Sequence, residues 1–83
     1  ITQFEGASPE IIEAQVTKPL EDALSGIEGL YLMTSSSEVE ESRITLVFEL
    51  NRPIEAAAND VRDRISRIRN KLPNDVSDPR IKK

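Results

Sequence analysis

The spacing of apolar residues changes twice along this chain, and these changes constrain its fold more than any other sequence feature. Over two stretches an apolar residue recurs every three or four positions, which is the period of one face of an α-helix. The first stretch comprises Ile12, Val16, Leu20, Ala23, Leu24 and Ile27. The second comprises Ile54, Ala57, Ala58, Val61, Ile65, Ile68 and Leu72. Between them, residues 42–50 alternate strictly between two faces, which predicts a β-strand.

Residues that start and stop helices lie at the ends of both periodic stretches. Ser8-Pro9-Glu10 predicts the first helix start, because serine caps free amides and proline fits the first helical position. Pro19 lies inside this helix and predicts a kink near residues 14–18, since it removes an amide donor. Ser25-Gly26 ends the helix. The second helix is predicted to begin at residues 51–53, with Asn51 or Arg52 as its cap, and to stop at residues 72–74.

The remaining segments predict strands. Residues 30–37 and 42–50 form a hairpin joined by an acidic turn at residues 38–41, and residues 1–4 and 76–83 form incomplete outer strands. The core face of the second hairpin strand carries Ile44, Leu46, Phe48 and Leu50, and its other face carries Arg43, Thr45, Val47 and Glu49. The order is β-α-β-β-α-β with clipped terminal strands. It predicts an α+β, ferredoxin-like split β-α-β sandwich, with two helices on one face of a sheet centred on the antiparallel hairpin.

The composition excludes most catalytic chemistry. The chain has 83 residues, enough for a single domain spanning residues 1–83, and contains neither cysteine nor histidine. Thiolate or imidazole catalysis and ordinary transition-metal sites are therefore excluded. Glu38, Glu40 and Glu41 permit either a hard-cation site or a solvated acidic turn, and the lack of a calcium-loop motif favours the turn. We expect no enzyme activity, no catalytic residue, no metal and no cofactor.

Charge is divided unevenly along the sequence. Residues 1–50 contain ten acidic and two basic residues, a net charge of −8, whereas residues 51–83 contain nine basic and five acidic residues, a net charge of +4. This division indicates either a nucleic-acid face or two halves that pack together. The basic half contains no aromatic residue for base stacking, which favours packing and no nucleic-acid partner. Asp60–Arg64 and Asp63–Arg67 have the spacing of intrahelical ion pairs.

Several motifs resemble one transporter family in order and spacing. They are Gly6-Ala7-Ser8-Pro9-Glu10, the run from Gln15 to Leu24, Gly26-Ile27-Glu28-Gly29, Ser35-Ser36-Ser37, the run from Ile44 to Leu50, the run from Asn59 to Ile65, and Leu72-Pro73. The chain resembles the resistance–nodulation–division (RND) efflux transporters of the acriflavine-resistance type, specifically their first periplasmic porter subdomain. It departs from the common family pattern at Phe4-Glu5-Gly6 and at Asn51-Arg52-Pro53, and these departures leave its substrates open.

The resemblance implies a fragment of a much larger protein. Such transporters are proton-driven homotrimers in the inner membrane of Gram-negative bacteria, with a periplasmic adaptor and an outer-membrane channel as partners. Their porter subdomains export amphiphilic small molecules. The first porter subdomain supplies a helix to the central trimer contact, which corresponds to residues 54–72, and strands to the wall of a substrate pocket.

Two sets of candidate site residues follow from the resemblance and the strand pattern. For the pocket wall we expect Met33, Ser35, Arg43, Thr45 and Val47 on the sheet face away from the helices. A face of this mixed polarity also fits simple packing or solvent exposure. For the trimer helix we expect Asp60, Arg64 and Arg67, which also fit intrahelical pairing on a solvated face.

Two other functions remain as alternatives. One is a free-standing ferredoxin-like module for ligand binding or self-association, and the other is a nucleic-acid binder using residues 62–71. The exposed edges of an incomplete sheet further predict that the isolated fragment dimerises or exchanges strands.

Overall fold

A computed structural model describes residues 1–82 of the chain. Its strands are β1 (Thr2–Gln3), β2 (Leu30–Glu38) and β3 (Glu41–Phe48). Its first helix is continuous but changes type, with α1 (Pro9–Ile12), a π-helical segment (Glu13–Thr17) and α2 (Lys18–Leu24). The second long helix, α3 (Ile54–Ile68), is followed by a 3₁₀ turn (Arg69–Lys71).

The three strands form one antiparallel sheet in the order β1-β3-β2. β3 therefore separates β1 from β2, which is the arrangement of a split β-α-β unit. The C-terminal segment runs beside β1 through a bridge between Phe4 and Val76, and Ser77 N–H donates to the Gln3 carbonyl at 2.8 Å. The predicted α+β split β-α-β fold is confirmed. Over the described residues, the predicted last strand forms only this bridge and its flanking hydrogen bonds. Lys83, the last residue of that predicted strand, lies outside the described residues.

Side chains from both helices cover one face of the sheet. One core cluster joins the first helix to the C-terminal segment, and its fully buried members are Ile12 and Val16. A second cluster joins Leu24 and Ile27 to Val61 of α3. Half-buried sheet residues pack against this second cluster, among them Ile44, Leu46 and Phe48. The helical periodicity and the alternation of β3 therefore predicted the core correctly over most of their length.

The first helix begins as its sequence predicts. Ser8 adopts extended backbone angles, and its hydroxyl accepts a hydrogen bond from the Ile11 amide at 3.4 Å. The predicted disturbance before Pro19 takes the form of the π-helical segment, in which Lys18 N–H donates to the Glu13 carbonyl. A regular α-turn would bring the proline ring against the carbonyl four residues earlier, and the wider π-turn avoids that arrangement.

The boundary between β3 and α3 differs from the prediction. β3 ends at Phe48, and Leu50 is fully exposed rather than part of the core face, because residues 49–53 turn away from the sheet. α3 begins at Ile54 after Pro53, and neither Asn51 nor Arg52 caps it with its side chain. Ile54 is consequently exposed although it belongs to the predicted apolar stripe.

No helix among residues 1–82 has the length and hydropathy needed to cross a bilayer.

Candidate functional site

The sheet face opposite the helices is formed by four cross-strand pairs of the hairpin. These pairs, which we call the outer face, are Leu32–Val47, Thr34–Thr45, Ser36–Arg43 and Glu38–Glu41. Val39 and Glu40 join the two strands in a two-residue turn, so the last pair lies immediately beside it. Because side chains alternate along a strand, all eight of these side chains point away from the helices.

The outer face changes in chemistry from one end to the other. Leu32 and Val47 are half exposed at the open end of the hairpin, beside a bulge at residues 30–32. Two threonine hydroxyls follow, and charged side chains lie nearest the turn. Arg43 forms an ion pair of 3.4 Å with Glu41. A surface graded from apolar to charged suits contact with an amphiphilic molecule, and it contains no nucleophile activated by a base.

The hairpin turn is held by the N-terminal segment. Glu40 has a φ angle of 60°, a conformation that residues other than glycine adopt rarely. Its backbone amide donates to the Ala7 carbonyl at 2.9 Å, and its carboxylate accepts from the Gly6 amide at 3.1 Å. The acidic turn is therefore more than a solvated connection, because Glu40 fixes the hairpin to the loop that precedes the first helix. Within residues 1–82, no group of three or more acidic side chains is placed to hold a metal ion.

Two of the predicted pocket residues lie on the opposite side of the sheet. Met33 pairs with Leu46 and packs against the second core cluster. Ser35 pairs with Ile44, and its hydroxyl donates to the Glu21 carboxylate of α2 at 3.0 Å. The expected placement of Met33 and Ser35 on the outer face is therefore wrong, whereas Arg43, Thr45 and Val47 lie where the alternation of β3 predicted.

The error lay in the pairing of residues between the two strands. The predicted turn at residues 38–41 leaves Ser37 opposite Ser42, and the observed two-residue turn keeps this register, which directs Met33 and Ser35 toward the helices. Four consecutive apolar residues, at positions 30–33, conceal the inward and outward positions of β2 in the sequence. A shift of one residue reverses every side chain of a strand, so counting the pairs back from the turn was the signal that could have decided the face. It would also have identified Leu32 and Thr34 as outer-face residues.

The three predicted residues of α3 have different surroundings. Asp60 pairs with Arg52, which also approaches Glu28 at 3.7 Å. Arg64 donates hydrogen bonds to the carbonyls of Ala23 at 3.1 Å and Gly26 at 3.3 Å, and so caps the end of α2.

The predicted Asp60–Arg64 pair is therefore wrong, because each residue has a partner outside α3. The predicted Asp63–Arg67 pair is confirmed at 2.7 Å, on the exposed side of the helix. The Arg52–Glu28 approach and the two hydrogen bonds of Arg64 are among the contacts that join the basic half of the chain to the acidic half.

A groove of about 660 Å³ lies between α3 and the free edge of β3. Its apolar walls include Ile44, Leu46 and Phe48 of the strand and Val61 and Ile65 of the helix. Among the described residues, β1 pairs only with Glu41 and Ser42, so the edge of β3 beyond Ser42 is open on this side. In the isolated chain, this unpaired strand edge beside an apolar groove can accept an added strand.

Comparison with known proteins assigns the chain to a class of transporter. The family model of the AcrB/AcrD/AcrF family matches residues 1–83, and the chain belongs to this family of RND multidrug efflux transporters. It is similar to proteins called multidrug resistance protein MdtC. The MdtC of Pectobacterium carotovorum is 46% identical over 72 residues, or 87% of this chain, and that of Photorhabdus laumondii is 46% identical over 69 residues, or 83%. The MdtC of Proteus mirabilis is 45% identical over 69 residues, or 83% of the chain.

The chain spans about 7% of the length of each of these relatives. The family expected from the sequence motifs is confirmed.

Proposed function

We propose that this chain is the first periplasmic porter subdomain of a proton-driven multidrug efflux pump. The pump lies in the inner membrane of a Gram-negative bacterium, and residues 1–83 form one subdomain of it. Family membership supports this assignment over a free-standing ligand-binding module. The observation that carries the local role is the outer face, where side chains graded from apolar to charged are left uncovered by the helices.

In this proposal the outer face forms part of the wall of the substrate pocket. Arg43, Thr45 and Val47 contribute from β3, and Leu32 and Thr34 contribute from β2. The apolar pair contacts the hydrophobic part of an amphiphile, and the hydroxyl and charged pairs contact its polar part. Met33 and Ser35 support the strand from the helix side and do not touch substrate.

α3 supplies the helix at the central contact of a homotrimer in this proposal. Its exposed side carries the Asp63–Arg67 pair, so Arg67 is the predicted residue that is presented to a neighbouring subunit. Asp60 and Arg64 are directed to Arg52 and to the end of α2, and they set the position of α3 relative to the rest of the subdomain. A porter subdomain that cycles between conformational states needs this helix fixed to the rest of the subdomain.

The remaining partners follow from the same family. They are the other porter, docking and transmembrane domains of the transporter, a periplasmic adaptor, an outer-membrane channel and amphiphilic small-molecule substrates. No cofactor, enzyme activity or nucleic-acid partner belongs to this function. The pairing of Arg52, Arg67 and Arg69 with carboxylates supports the last point, because ion-paired arginines are less available to phosphates.

Drug susceptibility of cells that depend on the full-length transporter tests the pocket wall. Val47→Asp places a charge at the apolar end of the outer face. Acriflavine and dodecyl sulfate are used once deletion of the transporter is shown to lower the inhibitory concentration of each, and we expect the variant to lower both at least fourfold. Ile11→Asp is the matched control, because Ile11 of α1 is 41% exposed and Val47 is 42% exposed. Equal transporter levels must be verified by immunoblot. If Val47→Asp leaves both inhibitory concentrations unchanged, or if Ile11→Asp lowers them as much, the outer face is not the pocket wall.

A further inference from the structure

A chain of four side chains links the π-helical segment to both strands of the hairpin. Thr17 Oγ1 lies 2.6 Å from Ser42 Oγ on β3 and 2.9 Å from Ser37 Oγ on β2. Ser37 Oγ in turn donates to the Glu13 carboxylate at 2.8 Å. Thr17 and Ser42 are fully buried, and Glu13 reaches solvent. This series of hydrogen bonds, the hydroxyl chain, thus begins in the core and ends at the surface.

The donors in this chain have one consistent direction. Each hydroxyl carries one proton to donate, and an ionised carboxylate only accepts. Since Ser37 donates to Glu13, its single proton is used, and Thr17 must donate to Ser37. Thr17 therefore accepts from Ser42. Every hydroxyl in this series, from Ser42 to Ser37, donates to an acceptor. Among the four side chains, Thr17 is the one that hydrogen-bonds to residues of both strands.

The same side chains mark the two ends of the π-helical segment. Glu13 is its first residue and Thr17 is its last, two positions before Pro19. The π-turn lets Lys18 N–H bond to the Glu13 carbonyl, five residues back rather than four. Pro19 disfavours a regular α-turn at this place, and the hydroxyl chain holds the widened turn against the sheet. Both ends of the π-helical segment are thereby tied to the hairpin.

The outer face lies one residue away from this attachment. Ser37 and Ser42 are a directly opposed pair on the helix side of the sheet, and the adjacent pair, Ser36 and Arg43, belongs to the outer face. Any change in the twist of the hairpin at Ser36 and Arg43 therefore moves the two hydroxyls that hold Thr17.

We propose that the hydroxyl chain through Thr17 is a conformational latch between the hairpin and the first helix. When substrate occupies the outer face, the latch transmits the movement of the hairpin to the π-helical segment, so that the sheet and the first helix shift together. This role rests on the proposed function, because it requires the outer face to meet substrate. Thr17 is a positioning residue in this scheme and does not contact substrate itself.

The test uses the full-length transporter with three variants. Thr17→Val removes the hydroxyl but keeps the shape, Thr17→Ser keeps the hydroxyl, and Val16→Ala removes buried methyl groups next to it without touching the hydroxyl chain. Hydrogen exchange of the purified transporter is measured over residues 13–18 and 36–43, and inhibitory concentrations of acriflavine are measured in cells. The melting temperature of each purified variant shows how much of any effect comes from a loss of overall stability.

The latch predicts that Thr17→Val raises exchange at least fivefold in both segments and lowers the inhibitory concentration at least fourfold. Thr17→Ser should stay within twofold of wild type, and Val16→Ala should raise exchange in the helix without raising it in the hairpin. Equal effects of Thr17→Val and Val16→Ala on both readouts, or a Thr17→Ser variant as damaged as Thr17→Val, would overturn the latch. Coupled exchange with a harmless Val47→Asp would keep the mechanical link between the hairpin and the first helix, but it would reject the pocket wall and with it the response of the latch to substrate.

Discussion

Replacing Val61 by aspartate tests whether α3 and the sheet share one core. Val61 is 7% exposed and belongs to the second core cluster with Leu24 and Ile27. An unpaired carboxylate buried there costs several kcal/mol, and the lost valine packing costs about 1.5–3 kcal/mol more. A domain of this length has a free energy of unfolding of roughly 4–12 kcal/mol. The substitution therefore removes most or all of the stability of the fold.

Urea denaturation of the 83-residue chain, followed by far-ultraviolet circular dichroism, measures this loss. We expect Val61→Asp to be largely unfolded without urea, and Phe48→Asp to be strongly destabilised, since its ring packs on the same cluster. Val47→Asp is the matched control, because the same substitution on the outer face leaves the new carboxylate in water. The core assignment is refuted if Val61→Asp unfolds at the wild-type urea concentration or if Val47→Asp is equally destabilised.

Three further predictions concern contacts and edges. Arg64→Ala should lower the free energy of unfolding by about 1–3 kcal/mol, because the carbonyls at the end of α2 lose their donor. The control, Arg62→Ala, removes an exposed side chain and should change the free energy of unfolding little. Similar losses in the two variants would contradict the capping role of Arg64. Gly29→Ala should cost about 1–2 kcal/mol more than Gly6→Ala in the same urea assay. Both glycines have a φ near +80°, but a Cβ at Gly29 would meet Arg52 at 3.2 Å, whereas one at Gly6 would meet nothing within 4 Å. Equal losses of unfolding free energy in the two variants would contradict this packing. Sedimentation of the isolated chain at high concentration should show a dimer formed through the open edge of β3, and a monomer at all concentrations would contradict it.

Some parts of the structure were predictable because local rules determine them. Ser8 and Pro9 specify a helix start by hydrogen bonding and backbone geometry alone, and the structure has both in those roles. The alternation of Ile44, Leu46 and Phe48 specifies the buried face of β3. Pro19 indicated where the first helix would be irregular, although the sequence did not reveal that the irregularity would be a π-turn. The sequence also did not reveal that Thr17 would meet Ser37 and Ser42, which lie 20 and 25 residues away along the chain.

Other parts depend on contacts that no local pattern contains. Asp60 and Arg64 have ideal spacing for a pair, yet Arg52 and the end of α2 lie closer to them in the folded chain. An exposed intrahelical pair contributes only a few tenths of a kcal/mol, so such partners readily replace it. The faces of Met33 and Ser35 are set by their cross-strand partners Leu46 and Ile44, because the apolar run at residues 30–33 shows no alternation of its own.

Labelling of a single cysteine on the outer face tests most directly whether this face meets substrate. Thr45→Cys is introduced into the full-length transporter after removal of any other cysteine, and its reaction with a thiol reagent is followed with and without acriflavine. Ile11→Cys, on an exposed position of α1, serves as the control. The proposal predicts that acriflavine slows labelling at Thr45→Cys at least threefold and leaves Ile11→Cys unchanged. Equal labelling rates at Thr45→Cys with and without acriflavine would contradict a substrate-facing role for the outer face.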